Sequence, residues 1–109
     1  MGFPIGAGLL DSMVLATVNL RDTYGYEITQ NIRKAVEVSE STLYPVLRRL
    51  QKEDFLETYD REYMGRNRRY YHVTDKGKDA LEDYRAEWRD HKTKVDSILF
   101  NGVKNSEKN

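Results

Sequence analysis

Apolar positions recur at helical spacing in four segments of the chain, and the first segment is apolar on two faces. One face carries Leu9, Met13 and Ala16, and the other carries Leu10, Val14 and Val18. Because a helix that is apolar on two sides needs two partners, we expect it to contact both its own core and a second subunit, the latter through Leu9 and Leu10. The alternative is burial in the centre of a monomer.

A second, shorter helix is predicted from Tyr24 to about Ala35. The preceding break offers an N-cap at Asp22 or Thr23. Its inner stripe has the i, i+4, i+7, i+8 spacing and consists of Ile28, Ile32, Ala35 and Val36.

A third helix follows, with an inner stripe formed by Leu43, Val46, Leu47 and Leu50. The signals for its first residue conflict. Ser39 is a good N-cap, whereas Pro45 is comfortable only in a first turn and favours a start near Ser41 or Thr42. Both starts are left open.

Two aromatic and β-branched runs, from Phe55 to Tyr59 and from Arg69 to Thr74, predict a hairpin. The segment Met64-Gly65-Arg66-Asn67 joins them. Gly65 and Asn67 tolerate the positive φ that a hairpin tip requires.

The last helix is predicted from about Lys76 to Leu99, capped by Thr74-Asp75. Its apolar residues alternate in steps of three and four, which is an a/d seam; they are Leu81, Tyr84, Trp88, His91, Val95 and Ile98. We assign this seam to dimerisation. Tyr84 and Trp88 could instead wall a pocket for a flat aromatic ligand at the subunit interface.

The element order of three helices, a hairpin and a final helix predicts a mostly helical α+β fold. It is that of a winged helix-turn-helix with an added C-terminal dimerisation helix. We divide the chain into a DNA-binding domain at residues 1–75, a dimerisation helix at 76–100 and a disordered polar tail at 101–109.

Charge supports nucleic-acid binding only locally, because eighteen basic and eighteen acidic residues cancel over the 109-residue chain. The hairpin carries four arginines opposed only by Glu62 within the same stretch; they are Arg61, Arg66, Arg68 and Arg69. Such guanidinium groups repel one another unless a polyanion is near, and each phosphate they neutralise releases counterions. The alternative is a basic but idle loop.

The outer face of the third helix supports the same reading. Tyr44 and Arg48 lie one turn apart, with Ser41 above and Lys52 below. Arginine can reach the O6 and N7 atoms of guanine or clamp a phosphate, while Ser and Tyr hydroxyls usually bond phosphates. An ordinary solvated helix face is the alternative.

Catalysis finds little support in this sequence. His72 and His91 are distant and lie in no motif, and the sequence has no cysteine, glycine-rich phosphate loop or HExxH pattern. We therefore expect no enzyme, no cofactor and no metal. The N-terminal region reads as neither a signal peptide nor a membrane span, and we expect a cytoplasmic protein.

The chain resembles the PadR family of transcription regulators in its short form. Four motifs carry the resemblance: Tyr24-Gly25-Tyr26-Glu27-Ile28, the run from Ser41 to Leu50, the segment from Gly65 to Tyr71, and Thr74-Asp75-Lys76-Gly77. The resemblance implies a homodimeric winged-helix repressor that binds a pseudo-palindromic operator in double-stranded DNA, with the first and last helices making the dimer.

Carried over by position, the resemblance also assigns roles. Tyr24 and Tyr26 would lie near the DNA backbone. The major-groove residues would be Ser41, Thr42, Tyr44 and Arg48, and the wing contacts Arg66, Arg68 and Arg69. Some relatives bind planar aromatic drugs beside a tryptophan of the last helix, and others respond to phenolic acids, so an effector-responsive repressor is one alternative. A winged helix used for protein interaction is another.

Overall fold

The computed structural model describes residues 7–102, which form four helices and a three-stranded antiparallel sheet. The elements are α1 (Ala7–Leu20), β1 (Thr23–Tyr24), α2 (Gly25–Ile32), α3 (Glu40–Lys52), β2 (Leu56–Tyr63), β3 (Arg66–Val73) and α4 (Asp75–Leu99). The strand order in the sheet is β1-β3-β2. The predicted mostly helical α+β class is confirmed, while the end of the predicted tail, residues 103–109, lies outside the described part.

The short strand β1 was not predicted. Thr23 and Tyr24 pair with Tyr71 and Tyr70 of β3, so Thr23 belongs to the sheet and is not the N-cap of α2. Tyr24 occupies the N-cap position and makes no side-chain cap bond. Two residues are too few for alternation to be visible in a sequence, which is why the pattern suggested a capped break instead.

Helix α2 is shorter than predicted, because it ends at Ile32. The backbone N–H groups of Ala35 and Val36 both donate to the Ile32 carbonyl in a tight turn. Ala35 is exposed and does not continue the inner stripe, whereas Val36 is half-buried and packs against the core.

Helix α3 begins at the earlier of the two predicted positions. Ser39 is its N-cap, and the Ser39 Oγ accepts a hydrogen bond from the Thr42 backbone N–H at 3.2 Å. Pro45 therefore lies in the second turn. The proline removes the bond to the Ser41 carbonyl, and Ser41 is exposed, so water can satisfy that carbonyl.

The wing, formed by β2 and β3, is longer and its turn is tighter than predicted. Pairing runs from Leu56 opposite Val73 to Tyr63 opposite Arg66, which leaves only Met64 and Gly65 in the turn. Both have positive φ, 53° and 79°, as a type I′ turn requires. Positive φ is confirmed at Gly65, but Asn67 lies within β3, opposite Glu62.

The core lies between α1, α2, α3, the base of the wing and the start of α4. Its buried residues are Val14, Leu15, Val18, Ile28, Ile32, Leu43, Val46, Leu47, Leu50, Leu56, Tyr71, Val73 and Leu81. Leu81 is only 2% exposed within a single chain. It therefore has almost no surface to offer a second subunit, which corrects its assignment to the dimer seam.

The start of α4 packs directly on the backbone that precedes β2. The Thr74 Oγ1 accepts from the Gly77 N–H at 2.9 Å and donates to the Asp54 carbonyl at 2.6 Å. A Cβ atom at Gly77 would lie 2.2 Å from the Phe55 carbonyl oxygen. Glycine is therefore the residue that allows this close approach, since any side chain here meets backbone.

We predict that Gly77→Ala lowers the free energy of unfolding by about 2 kcal/mol or more, because the helix must shift away from rigid backbone. Urea denaturation measures the change. Gly8→Ala is the matched control, because its Cβ would lie 3.5 Å from a Tyr84 ring carbon, an ordinary contact. Equal stability of the two variants would contradict the prediction.

A carboxylate joins the three strands at the base of the sheet. Asp22, just before β1, accepts a hydrogen bond from the Tyr59 hydroxyl at 2.8 Å and another from His72 Nδ1 at 2.8 Å. Burial by itself raises the pKa of Asp22, but the hydrogen bonds from His72 and Tyr59, with nearby positive charge, bring it below its ordinary value of 3.8.

We predict a pH-dependent contribution of Asp22 to stability. Because its pKa is lower in the folded than in the unfolded state, the contribution is present above pH 3.8 and is lost as pH falls through the folded-state value. Urea unfolding should show the stability difference between the wild type and Asp22→Asn shrinking in acid. Asp83→Asn serves as control. A wild-type-minus-Asp22→Asn difference that stays constant down to about pH 3 would refute the prediction.

Candidate nucleic-acid interface

Helix α3 presents an exposed tyrosine and arginine on the side opposite its buried leucines. Tyr44 is 51% exposed, and the Arg48 guanidinium carbon lies 5.7 Å from the centroid of the Tyr44 ring. Arg48 is also exposed. The pair therefore lies exposed on the face that the apolar stripe of α3 leaves free.

The first turn of α3 is held by a cluster of hydroxyl groups. Ser39 Oγ lies 2.9 Å from Ser41 Oγ and 3.0 Å from Thr42 Oγ1. Ser41 and Thr42 are exposed at the tip of the helix, although both hydroxyls already bond to the cap residue. These contacts orient the hydroxyl groups before any ligand arrives.

The wing arginines divide between the two faces of β3. Side chains alternate along a strand, and Tyr71 is buried in the core, so Asn67 and Arg69 lie on the side that faces α3. The Cβ atoms of Arg66 and Arg68 lie on the opposite side, although both residues also line the space between the wing and the helices. The sequence treated the arginines as one loop cluster, whereas they occupy two surfaces of a strand.

A cleft of about 500 Å³ separates the wing from the helices. Its walls are the start of α2 with Tyr24 and Tyr26, the outer face of α3, and the arginine-bearing part of β3. Tyr26 is 55% exposed. Among the residues that the structure describes, Glu40, the first residue of α3, is the only carboxylate that lines the cleft.

Along the wing, tyrosine rings and guanidinium groups are layered. The Arg68 guanidinium carbon lies 4.5 Å from the Tyr24 ring centroid and 5.1 Å from that of Tyr63. The rings of Tyr70 and Tyr59 are stacked, with 5.7 Å between centroids. The tyrosines thus pack across strands, and they hold Arg68 in place.

The positive charge of the wing is not neutralised by the chain itself. In the part of the chain that the structure describes, no carboxylate lies within 4.0 Å of the guanidinium groups of Arg61, Arg66, Arg68 or Arg69. Asp60 stands opposite Arg69 in the register, yet the two form no ion pair. These arginines keep hydrogen-bond donors available to a polyanion.

Arg49 behaves differently from its neighbour Arg48. Its guanidinium group points inward and binds Asp11 of α1 through two hydrogen bonds, of 2.6 and 2.8 Å. Neither Arg49 nor Asp11 was singled out from the sequence as functional. The available signal was a single acidic residue, Asp11, inside the apolar run of α1.

The predicted dimer residues occupy both helices at the ends of the fold. Leu9 and Leu10 of α1 are half-buried. In α4, every residue from 85 to 100 except Val95 is exposed, so this half of the helix packs on nothing within the described residues. Trp88 is 46% and Ile98 76% exposed, which leaves an apolar stripe uncovered.

The two candidate ligand residues are in different surroundings. The Tyr84 hydroxyl donates to Asp11 at 3.3 Å, and burial raises the pKa of Tyr84. The Trp88 ring lies in the open, 6.1 Å from His91.

Nowhere in residues 7–102 is a helix long and apolar enough to cross a membrane.

Comparison with known proteins points to one family. The Transcriptional regulator PadR-like family matches residues 14–83. A transcriptional regulator of Mycobacterium tuberculosis is 42% identical over 67 residues, covering 60% of this chain and 63% of that protein. An uncharacterised protein of Lysinibacillus sphaericus is 37% identical over 97 residues, covering 84% and 89%.

Solved structures agree with this match. A crystal structure from Streptococcus mutans has a TM-score of 0.86 at 40% identity and covers 96% of this chain and 99% of its own. A PadR-like transcriptional regulator from Bacillus cereus has a TM-score of 0.77 at 36% identity, covering 84% and 92%. The chain therefore belongs to the PadR-like family of transcriptional regulators, which bind DNA and are not enzymes.

Proposed function

We propose that this protein is a homodimeric repressor that acts by occupying a promoter, with α3 in the major groove and the wing on the flanking backbone. The observation that carries the proposal is the cleft between the exposed face of α3 and β3. Within residues 7–102, its arginines have no carboxylate partner. A helix that fits the major groove, beside unpaired guanidinium groups, matches the surface of duplex DNA.

Within this arrangement we assign base reading to α3. Arg48 is exposed on the face of α3 that points away from the core, and its guanidinium group is free to bond a guanine edge in two places. Tyr44 supports it from one turn earlier and offers its hydroxyl to a phosphate.

We assign backbone contacts to the wing and the start of α2. Arg69 and Asn67 face the cleft, and Tyr26 lies across from them. Contacts of this kind orient the protein and add affinity on every sequence, and they weaken as salt increases. Glu40 faces the same space, where a carboxylate can accept from cytosine N4 but repels phosphates.

The homodimer follows from the uncovered stripe of α4. Tyr84, Trp88, Val95 and Ile98 share a seam, and beyond Tyr84 its two largest members, Trp88 and Ile98, are exposed while Val95 is half-buried. A second copy of the same helix supplies a matching apolar stripe. Two recognition helices spaced by roughly 34–36 Å then require a pseudo-palindromic operator.

Substitutions in α3 and in the wing should separate base reading from backbone binding. An operator is selected from a random pool of duplexes with the wild-type protein, and affinities are measured by fluorescence anisotropy. Arg48→Ala should reduce the preference for this operator over random DNA roughly 10- to 100-fold. Arg69→Ala should weaken binding to both duplexes alike and reduce the salt slope by about one.

Arg89→Ala is the control, because Arg89 is exposed on α4 and lies off its apolar seam. It should leave both affinities unchanged. The assignment fails if Arg48→Ala weakens operator and random DNA by the same factor. Binding that persists at high salt without any affinity for DNA at low salt would instead favour a protein-interaction module.

Another prediction concerns the dimer. Ile98→Glu places a charge in the apolar stripe of α4 and should shift the protein to monomer at micromolar concentration, as measured by sedimentation equilibrium. Operator affinity should fall as well, because each half-site is then bound by a separate monomer. Thr93→Glu puts the same charge on an exposed position outside the seam and should leave the mass unchanged. A monomeric wild type would contradict the proposed dimer.

A further inference from the structure

An ion pair between a buried carboxylate and a partly exposed arginine joins α3 to α1. Asp11 is only 4% exposed, and its two carboxylate oxygens accept from the two terminal nitrogens of Arg49 at 2.6 and 2.8 Å. The Tyr84 hydroxyl of α4 donates to the same carboxylate at 3.3 Å. Three helices therefore meet at one carboxylate.

This junction is directional, unlike the apolar contacts around it. A planar guanidinium group that bonds both oxygens of a carboxylate fixes distance and angle together. The leucines of α3 can slide or rotate against their neighbours at small cost by comparison, since burial has no preferred direction. The contact of Arg49 with Asp11 thus sets the rotation of α3 about its own axis.

Arg48 and Arg49 are consecutive, so their side chains leave α3 about 100° apart. Arg49 is fixed against α1, and this direction decides where the exposed Arg48 points. Arg49 is held by Asp11 of α1, and Tyr84 of α4 donates to the same carboxylate; α1 and α4 are the two helices of the proposed dimer. The ion pair therefore links the orientation of the proposed dimer interface to the direction in which Arg48 and Tyr44 point.

We propose that Asp11, Arg49 and Tyr84 are positioning residues that set the spacing and orientation of the two recognition helices, and thereby the half-site separation the protein accepts. The inference rests on the proposed dimeric DNA-binding function. None of the three needs to touch DNA. They act through α3, by limiting how far it rotates relative to the subunit interface.

The energetics of such pairs make the role testable. A buried ion pair adds little net stability compared with well-packed apolar residues, because desolvation offsets the attraction. Breaking it by removing one partner is costly, while replacing both partners together is often tolerated. The double variant Asp11→Leu/Arg49→Met therefore removes the directional link and keeps a folded protein to measure.

The experiment uses palindromic duplexes made from the selected half-site, with the separation changed by one and two base pairs in each direction. Wild-type protein should bind one separation best. In Arg49→Lys, which keeps the charge but loses the bidentate geometry, and in the double variant, the penalty for a one-base-pair change should fall at least roughly fivefold. Affinity for an isolated half-site should stay at the wild-type value.

Arg48→Lys is the matched control, since it changes the neighbouring arginine in the same way. It should weaken binding at every separation and keep the shape of the spacing profile. If the Arg49 and double variants keep a profile as sharp as the wild type, the ion pair is structural only and the inference is overturned. A wild type without any spacing preference would overturn the proposed dimeric function as well, so the two failures are distinguishable.

Discussion

The bond between Asp11 and Arg49 is the constraint on which the arrangement of the helices depends. A carboxylate buried in the apolar helix α1 is costly unless a cation satisfies both of its oxygens, and Arg49 does so from the recognition helix. The hydroxyl of Tyr84 adds α4 to the same point. The apolar core brings these helices together, and this polar contact links them at one defined point.

The wing shows how one cluster of like charges is divided by the alternation of a strand. Arg69 and Arg68 both line the cleft beside α3, and Arg68 is in addition packed between the rings of Tyr24 and Tyr63. A guanidinium group packed on two rings loses little rotamer freedom when it binds. Arg69 therefore contributes through its reach into the cleft, and Arg68 contributes through a guanidinium group that is already held in place.

Much of the fold could be predicted from the sequence, because α1, α3 and α4 have long apolar stripes and the hairpin has aromatic strands. What could not be predicted depended on contacts between distant residues. The strand β1 exists only because Thr23 and Tyr24 find β3, and the burial of Leu81 depends on where α4 docks. The partnership of Asp11 with Arg49, 38 positions apart, left no periodic signal.

The pairing of β1 with β3 has a consequence for how the protein meets its target. Because β1 runs directly into α2, the base of the wing is hydrogen-bonded to the start of the helical unit. The wing and the helices thus form one connected unit, with a cleft of set width between them. In the proposed complex, adjustment of fit then falls largely to the double helix, so the bendability of base steps that the protein does not touch contributes to what it selects.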